Sequence, residues 1–262
     1  MVLLSFDIEE FDLPSEYGCD ISFEKQMNIS TQGLCNIMDV LDSYSIDVTF
    51  FSTLNFLKNL DNPLLDRIIH SSHEVASHGV SHSSFSADDY EKSKSGIEAI
   101  VGREVRGFRM ARMGDVNMDL LKSAGYLYDS SVNPTYLPGR YNNISSPRLP
   151  YKNSYGIYEM PSSVTPVFRI PLFWLSMHNM PMVLYRWLLN ITLKTDSYLN
   201  IYFHPWEFAD LNCLNIDIPY IIRRNSGYKM KKRLSDIIRM FLDKGAKFCT
   251  ISDFIDRNKI NP

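Results

Sequence analysis

Two spacings of apolar residues alternate along the chain. Short apolar runs predict buried strands at residues 2–8, 46–51, 74–77, 105–108, 126–128, 157–160, 198–203 and 247–251. Between them, helical spacing predicts helices at 31–44, 87–100, 117–124 and 228–244. The last helix is the clearest, because five apolar residues share one face and Gly245 stands where a helix ends. Strands alternating with helices predict an α/β fold built on a mainly parallel sheet or barrel.

The length suits one domain. Of its 262 residues, 45% are hydrophobic and 22% are charged, which is enough for the core of a single α/β barrel. We therefore expect one domain over residues 1–262. Residues 134–152 are rich in Pro, Asn, Ser and Tyr without a clear period, and we expect a long loop there that can form part of a substrate wall.

Charge and cysteine content exclude some classes of protein. A formal net charge of -3 gives no general basic face for phosphates, and the one basic run, 229–233, fits a solvated helix face. We therefore expect no nucleic-acid partner. Four cysteines lie far apart without a Cys-x-x-Cys pair, which favours reduced thiols over a zinc ribbon or a redox motif.

Neither an export signal nor a membrane span is recognisable. Residues 1–7 lead directly into a strand without a basic or long apolar leader, so we expect a cytoplasmic protein. The most apolar later stretch, 170–191, is interrupted by two prolines, a histidine and an arginine. A buried barrel helix is favoured over contact of residues 168–189 with a membrane surface.

Candidate catalytic residues follow the predicted strands, at the rim where parallel barrels build their active sites. In the first strand, period-two geometry places Asp7 and Glu9 on one face. Two carboxylates that face a closed interior repel each other, so their pairing implies a nearby cation or arginine. Solvated acids at a strand end are the alternative.

Histidines and an arginine complete the candidate set. His78 and His82 can meet one metal with a carboxylate, leaving its other positions open, whereas His70, His73 and His178 have no comparable setting. Arg109 follows a strand and can grip a carboxylate; Arg112 lies close enough to be confused with it. His204 ends the strand at 198–203, where an imidazole suits proton transfer to a leaving amine.

Five segments together resemble the NodB-homology polysaccharide deacetylases, carbohydrate esterase family 4, over nearly the whole chain. They are 5–9 (Ser-Phe-Asp-Ile-Glu), 78–82 (His-Gly-Val-Ser-His), 107–109 (Gly-Phe-Arg), 128–131 (Tyr-Asp-Ser-Ser) and 203–207 (Phe-His-Pro-Trp-Glu). The resemblance implies a distorted (β/α) barrel of seven or eight strands that binds a divalent metal, most often zinc.

The resemblance also implies residue roles. Asp7 matches the catalytic base, Arg109 the arginine that orients it and His204 the general acid, while Asp129 matches a residue that polarises that histidine. His78 and His82 match the two metal histidines of the family, and Glu9 matches the metal carboxylate of the branch whose first motif reads Asp-x-Asp or Asp-x-Glu.

Two departures from the family pattern affect these expectations. Ile8 stands where most members have a second aspartate, so the ligand is Glu9 if the branch assignment holds, with Glu10 as the alternative. The third motif usually reads Arg-x-Pro, but Ala111 replaces the proline, so the loop that supplies a backbone oxyanion donor can differ in shape.

The expected activity is removal of an N-acetyl group from an amino sugar of a glycan or glycan precursor. Hydrolysis of a cyclic or formyl amide is the alternative chemistry, and a catalytically silent glycan-binding homologue is the alternative class. Two histidines and a carboxylate also occur in non-haem iron oxygenases, but Arg109 and His204 argue against that reading. Trp174, Trp206 and Tyr136 are candidates for stacking on a sugar ring.

Overall fold

An eight-stranded curled sheet forms the centre of the molecule. The computed structural model describes residues 1–258. Its strands are β1 Val2–Ile8, β2 Thr49–Ser52, β3 Glu74–Ser77, β4 Gly107–Phe108, β5 Tyr128–Asp129, β6 Tyr136–Leu137, β7 Tyr141–Asn142, β8 Tyr151–Lys152, β9 Tyr158–Glu159 and β10 Leu199–Phe203. The large sheet has the order β10-β1-β2-β3-β4-β5-β9-β8, and β6 and β7 form a separate hairpin.

Helices cover the outside of the sheet. They are α1 Phe23–Tyr44, α2 Leu54–Asn59, α3 Asn62–Ile69, α4 Asp89–Val101, α5 Met118–Ser123, α6 Trp174–Asn179, α7 Met182–Asp196, α8 Tyr220–Arg223, α9 Tyr228–Leu242 and α10 Ile251–Arg257. Within the large sheet six strand pairs run parallel, and β8 runs antiparallel to its neighbour β9. This architecture is an α/β half-barrel, and it confirms the α/β fold and the distorted barrel of seven or eight strands that the resemblance implied.

Alternation along β1 separates the core from the interior of the curled sheet. Leu4, Phe6 and Ile8 join the large apolar cluster under the helices. Leu3 joins a second cluster on the other face, which Ser5 and Asp7 share by period. The carboxyl ends of β1, β3, β4 and β10 therefore point their polar residues into one space.

Seven of the eight predicted strands are present, several of them shorter than expected. The prediction at 247–251 is wrong as a strand. There only Phe248 forms a bridge, with Val2, and the chain enters α10 at Ile251, where the Thr250 hydroxyl accepts a hydrogen bond from the Asp253 N–H and caps the helix.

One close approach between backbones fixes the segment that follows β10. A Cβ atom on Gly33, in the middle of α1, would lie 1.7 Å from the carbonyl oxygen of Pro205. Only glycine lets the helix lie this close to the turn at 205–208. The helix thereby holds the residue before that turn, His204, at the end of its strand.

Among the described residues, none of the helices combines the length and the apolar character that crossing a bilayer requires. Helix α7, within the most apolar stretch, buries Tyr185, Leu188 and Leu189, while Val183 and Trp187 are exposed. All four cysteines are free thiols.

Candidate active site

A buried ion pair lies at the end of the first strand. The Arg109 guanidinium donates from Nη1 to Asp7 Oδ1 at 2.5 Å, and neither side chain is more than 4% exposed. The guanidinium also donates to the Ser5 hydroxyl and to the carbonyl and hydroxyl of Ser130. The Phe51 ring lies 4.0 Å below the guanidinium carbon. Arg109 is therefore held in one orientation, with its charge directed at Asp7.

Three further side chains converge beside this pair. Glu9, His78 and His82 are buried, and one ligand atom of each lies within 4.8 Å of the others. Both imidazoles turn Nε2 toward Glu9 Oε2, at 3.1 Å from His78 and 3.3 Å from His82. Gly79, with φ of +88°, makes the turn after the first histidine in a backbone conformation that glycine adopts without strain.

The other ring nitrogens of both histidines are held by acceptors. His78 Nδ1 donates to the Arg109 carbonyl at 2.8 Å, and His82 Nδ1 donates to Asp12 Oδ1 at 2.6 Å. Metal-binding histidines usually have such a partner behind them, because it fixes the tautomer and aims the free nitrogen. Asp12 was not recognised from the sequence.

The pKa values of Glu9 and His82 reflect the charges of their neighbours in this cluster. Burial opposes ionisation of Glu9, but His82, the hydrogen bond from His78 and the charge of His204 together lower its pKa to about 2. Burial opposes protonation of His82, but the carboxylates of Glu9 and Asp12 raise its pKa.

Glu10 lies outside this group. Its carboxylate accepts a hydrogen bond from the Thr53 hydroxyl at 2.8 Å, and the same hydroxyl caps the start of α2. Burial raises the pKa of Glu10. Of the two glutamates that the sequence left open, the structure brings Glu9 to the histidines and turns Glu10 toward a helix end.

His204 faces Asp7 from the end of β10. Its Nε2 lies 3.9 Å from Asp7 Oδ2, and its Nδ1 donates to Glu207 Oε1 at 3.0 Å. The indole of Trp206 stacks on the imidazole at 4.9 Å, and Trp174 packs against it edge-on at 5.4 Å. Burial opposes the charge on His204, but the hydrogen bond to Glu207 and the nearby carboxylates raise its pKa to about 9.

Asp129 is not brought to His204. It faces Glu159 as its partner in the β5–β9 pair, and both side chains are buried. Its Oδ1 accepts from the Ser131 hydroxyl at 2.5 Å. The expected contact with His204 is made instead by Glu207, to which the sequence analysis assigned no role.

The signal for Glu207 was present in the sequence. His204-Pro205-Trp206-Glu207 has the spacing of a helix start, with proline in the first position and glutamate in the third. In the structure the Glu207 carboxylate accepts from the His204 N–H at 2.5 Å, as this spacing predicts. Asp12 had no comparable signal, because a post-strand segment rich in acids does not show which one turns inward.

Asp7, Glu9, His78, His82 and His204 line the floor of a pocket of about 260 Å³. Its walls come from the segment before α1, the loop after β4, the β6–β7 hairpin, α6 and α8. Arg140, on the expected loop at 134–152, contributes to one wall and pairs with Glu16. Of the stacking candidates, Trp174 lines the pocket partly exposed, Trp206 is 1% exposed, and Tyr136 is 56% exposed but does not line it.

Three comparisons with known proteins bear on this architecture. Residues 19–128 match the family model described as Polysaccharide deacetylase, and residues 130–256 match a domain of unknown function, DUF3473. The search of curated protein sequences found no match.

Solved structures share the fold at low sequence identity. A candidate polysaccharide deacetylase from Mycobacterium smegmatis is 16% identical, with a TM-score of 0.67 over 98% of this chain and 88% of that one. Puue allantoinase is 13% identical, with a TM-score of 0.62 over 96% and 87%. The Bc1960 peptidoglycan N-acetylglucosamine deacetylase is 16% identical, with a TM-score of 0.53 over 100% and 90%.

The curled half-barrel, with ionisable groups at the carboxyl ends of its strands, defines the class of NodB-type α/β barrel proteins. The family match makes this assignment more specific for part of the chain. Residues 19–128 match the polysaccharide deacetylase family, and solved polysaccharide deacetylases share the fold.

Proposed function

We propose that the protein is a metal-dependent hydrolase that removes an N-acetyl group from an amino sugar of a glycan or glycan precursor. The observation that carries this proposal is the position of two opposed groups. The carboxylate of Asp7 and the imidazole of His204 face each other 3.9 Å apart, directly beside the Glu9, His78 and His82 cluster. One group can take a proton and the other can give one.

The cluster fits a divalent metal. It offers two imidazole nitrogens and a carboxylate, a donor set used by catalytic zinc sites that keep one position open. The acceptors behind both rings leave Nε2 free for a metal. A zinc ion held there by Glu9, His78 and His82 would supply Lewis acidity toward the substrate carbonyl and toward water.

Asp7 is suited to act as the base. Its Oδ1 is bound to Arg109, which leaves Oδ2 directed toward the pocket and toward His204. The buried guanidinium keeps the carboxylate in place, so that Oδ2 can accept the proton of an attacking water.

His204 is suited to act as the acid. With a pKa of about 9 the imidazole carries a proton at neutral pH, and its Nε2 opens to the pocket. It can protonate the departing nitrogen as the acetamide C–N bond breaks, which an amine needs because it leaves poorly as an anion.

The pocket agrees with a sugar-sized group. Its volume, about 260 Å³, lies just below the roughly 300–1,000 Å³ typical of ligand sites. The partly exposed Trp174 beside His204 offers an aromatic surface for a pyranose ring. Bc1960, which shares the fold, is named for deacetylation of N-acetylglucosamine in peptidoglycan.

Metal content and acetate release test the proposal together. Purified wild-type protein is expected to hold one zinc equivalent and to release acetate from N-acetylglucosamine oligomers. His78→Ala should lose both, whereas His70→Ala, in an exposed histidine bonded to its own helix, should keep both. Asp7→Asn and His204→Ala should remain folded and bind zinc but release no acetate. Full activity in either variant would contradict the assigned roles.

Hydrolysis of another amide remains the second candidate, since the fold is shared with an allantoinase. The same proteins should then be assayed against a cyclic ureide and an N-formyl amine. Turnover of these without acetate release would move the assignment to that chemistry. Stoichiometric zinc with no turnover of any amide would support the silent glycan-binding homologue.

A further inference from the structure

Two buried groups stand behind His204, one after the other. Glu207 Oε1 accepts both the backbone N–H and the Nδ1–H of His204, at 2.5 and 3.0 Å. Its other oxygen, Oε2, lies 3.0 Å from His178 Nε2, and His178 Nδ1 donates to the Arg224 carbonyl at 2.6 Å. Glu207 and His178 are both 0% exposed.

The hydrogen bonds that link His204, Glu207 and His178 constrain the charge of the two buried side chains. The Arg224 carbonyl can only accept, so His178 must carry a proton on Nδ1. A second proton must then lie between His178 Nε2 and Glu207 Oε2, on one atom or the other. An anion at Glu207 is therefore always balanced by an imidazolium at His178, which reduces the cost of burying it.

We propose that Glu207 and His178 are positioning residues for His204, an inference that rests on the proposed deacetylation. Glu207 fixes the tautomer of His204 so that Nε2 carries the proton used by the leaving nitrogen. It also stabilises the protonated ring. His178 holds the second carboxylate oxygen and so fixes the plane of Glu207.

The neighbouring side chains hold His204, Glu207 and His178 in one arrangement. The His204 ring lies between the stacked Trp206 and the edge of Trp174, and Trp174 also packs edge-on against His178 at 5.9 Å. Both contacts of Glu207 Oε1 are to the same residue, so a rotation of the carboxylate would break both at once. The arrangement gives His204 one orientation, which general acid catalysis requires.

Glu207→Gln separates positioning from folding. The amide keeps an acceptor for His204 and offers a donor to His178, so the hydrogen bonds can be retained while the carboxyl group is lost. Turnover should be measured on an N-acetylglucosamine oligomer, whose amine must be protonated to leave, and on 4-nitrophenyl acetate, whose leaving group needs no acid. We expect kcat for the sugar to fall about 100-fold, within the roughly 10²–10⁴-fold effect of a positioned acid. We expect kcat for the aryl ester to fall less than about fivefold, because its step needs no proton.

Two companion variants complete the comparison. His178→Gln should give the same selective loss, about tenfold in size, because it acts one residue further away. Glu74→Gln is the matched control, since Glu74 accepts hydrogen bonds from Tyr128, Thr49 and Ser252 away from the pocket. It should affect both substrates equally. Equal losses on both substrates in Glu207→Gln, or an unchanged kcat for the sugar, would overturn the proposal.

A readout that does not need turnover distinguishes this inference from the proposed function. In ¹H–¹⁵N spectra of the histidine rings, with His204→Gln used for assignment, we expect a hydrogen-bonded Nδ1–H on His204 that Glu207→Gln shifts. A His204 ring with no proton on Nδ1 would refute the positioning role even in an active enzyme. If that proton is present but wild-type protein releases no acetate, the deacetylase assignment fails while the contact stands.

Discussion

Replacing Glu159 by glutamine tests whether Asp129 belongs to a buried acid pair rather than to the proton-transfer site. The two carboxyl groups face each other across β5 and β9, with both side chains buried. Burial raises the pKa of Asp129 to about 6. Burial and the charge of Asp129 together raise the pKa of Glu159 well above its ordinary value. The folded acid pair therefore holds a proton up to a higher pH than the unfolded chain does.

The size of the effect on stability follows from the thermodynamic linkage between proton binding and folding. Above the ordinary Glu pKa of 4.5 the unfolded chain releases a proton that the folded chain keeps. The free energy of unfolding then falls as pH rises, by about 1.4 kcal/mol per pH unit, until the folded pKa is passed. Glu159→Gln supplies a neutral donor to Asp129 and lacks this loss.

Urea unfolding followed by circular dichroism at pH 5, 6, 7 and 8 measures the difference. We expect Glu159→Gln to gain stability relative to wild type at each step toward alkaline pH. Glu104→Gln, in an exposed side chain, should stay parallel to wild type. Parallel curves for wild type and Glu159→Gln would refute the argument, because they would mean that no extra proton is held in the folded state.

Three other variants test residues that hold the side chains of the site in position. Arg109→Lys keeps a charge but loses the planar fork, so acetate release should fall about 100-fold and urea unfolding should show a loss of about 3 kcal/mol. Gly33→Ala places a methyl group 1.7 Å from the Pro205 oxygen, and overpacking of this kind should lower stability in the same assay by about 3 kcal/mol. Arg112→Ala should weaken zinc binding in a chelator competition about tenfold, whereas Arg140→Ala should leave it unchanged.

The sequence predicted the fold well where a pattern was long or strongly periodic. Strands β1 and β10 and helix α9 lie close to their predicted bounds because their apolar residues repeat over five or more positions. Helix α1 begins eight residues before the prediction, at the position where the Ser22 hydroxyl caps it. Gly33 lies inside both the predicted and the observed helix; glycine is a weak helix former, but it is required there by the packing against Pro205.

For the site, it was easier to predict which residues come together than to predict which residue each of them contacts. Asp7, Glu9, His78, His82, Arg109 and His204 come together as a group, because each ends or follows a strand of one parallel sheet. Asp129 shares that position but points to a cross-strand partner, a choice made by tertiary packing. His178 gave no signal, since its importance depends on a contact with Glu207, 29 residues away.

The loop after Arg109 shows how a departure in sequence can be offset elsewhere. Without the family's proline at Ala111, the chain places Arg112 and Met113 in left-handed conformations, at φ of 58° and 53°. Each costs about 1 kcal/mol or more for a residue with a side chain. Arg112 offsets the cost by donating to the His82 carbonyl, Asp12 and Glu16. Because Asp12 in turn holds the His82 ring, the strain in this loop is coupled directly to the orientation of a proposed metal ligand.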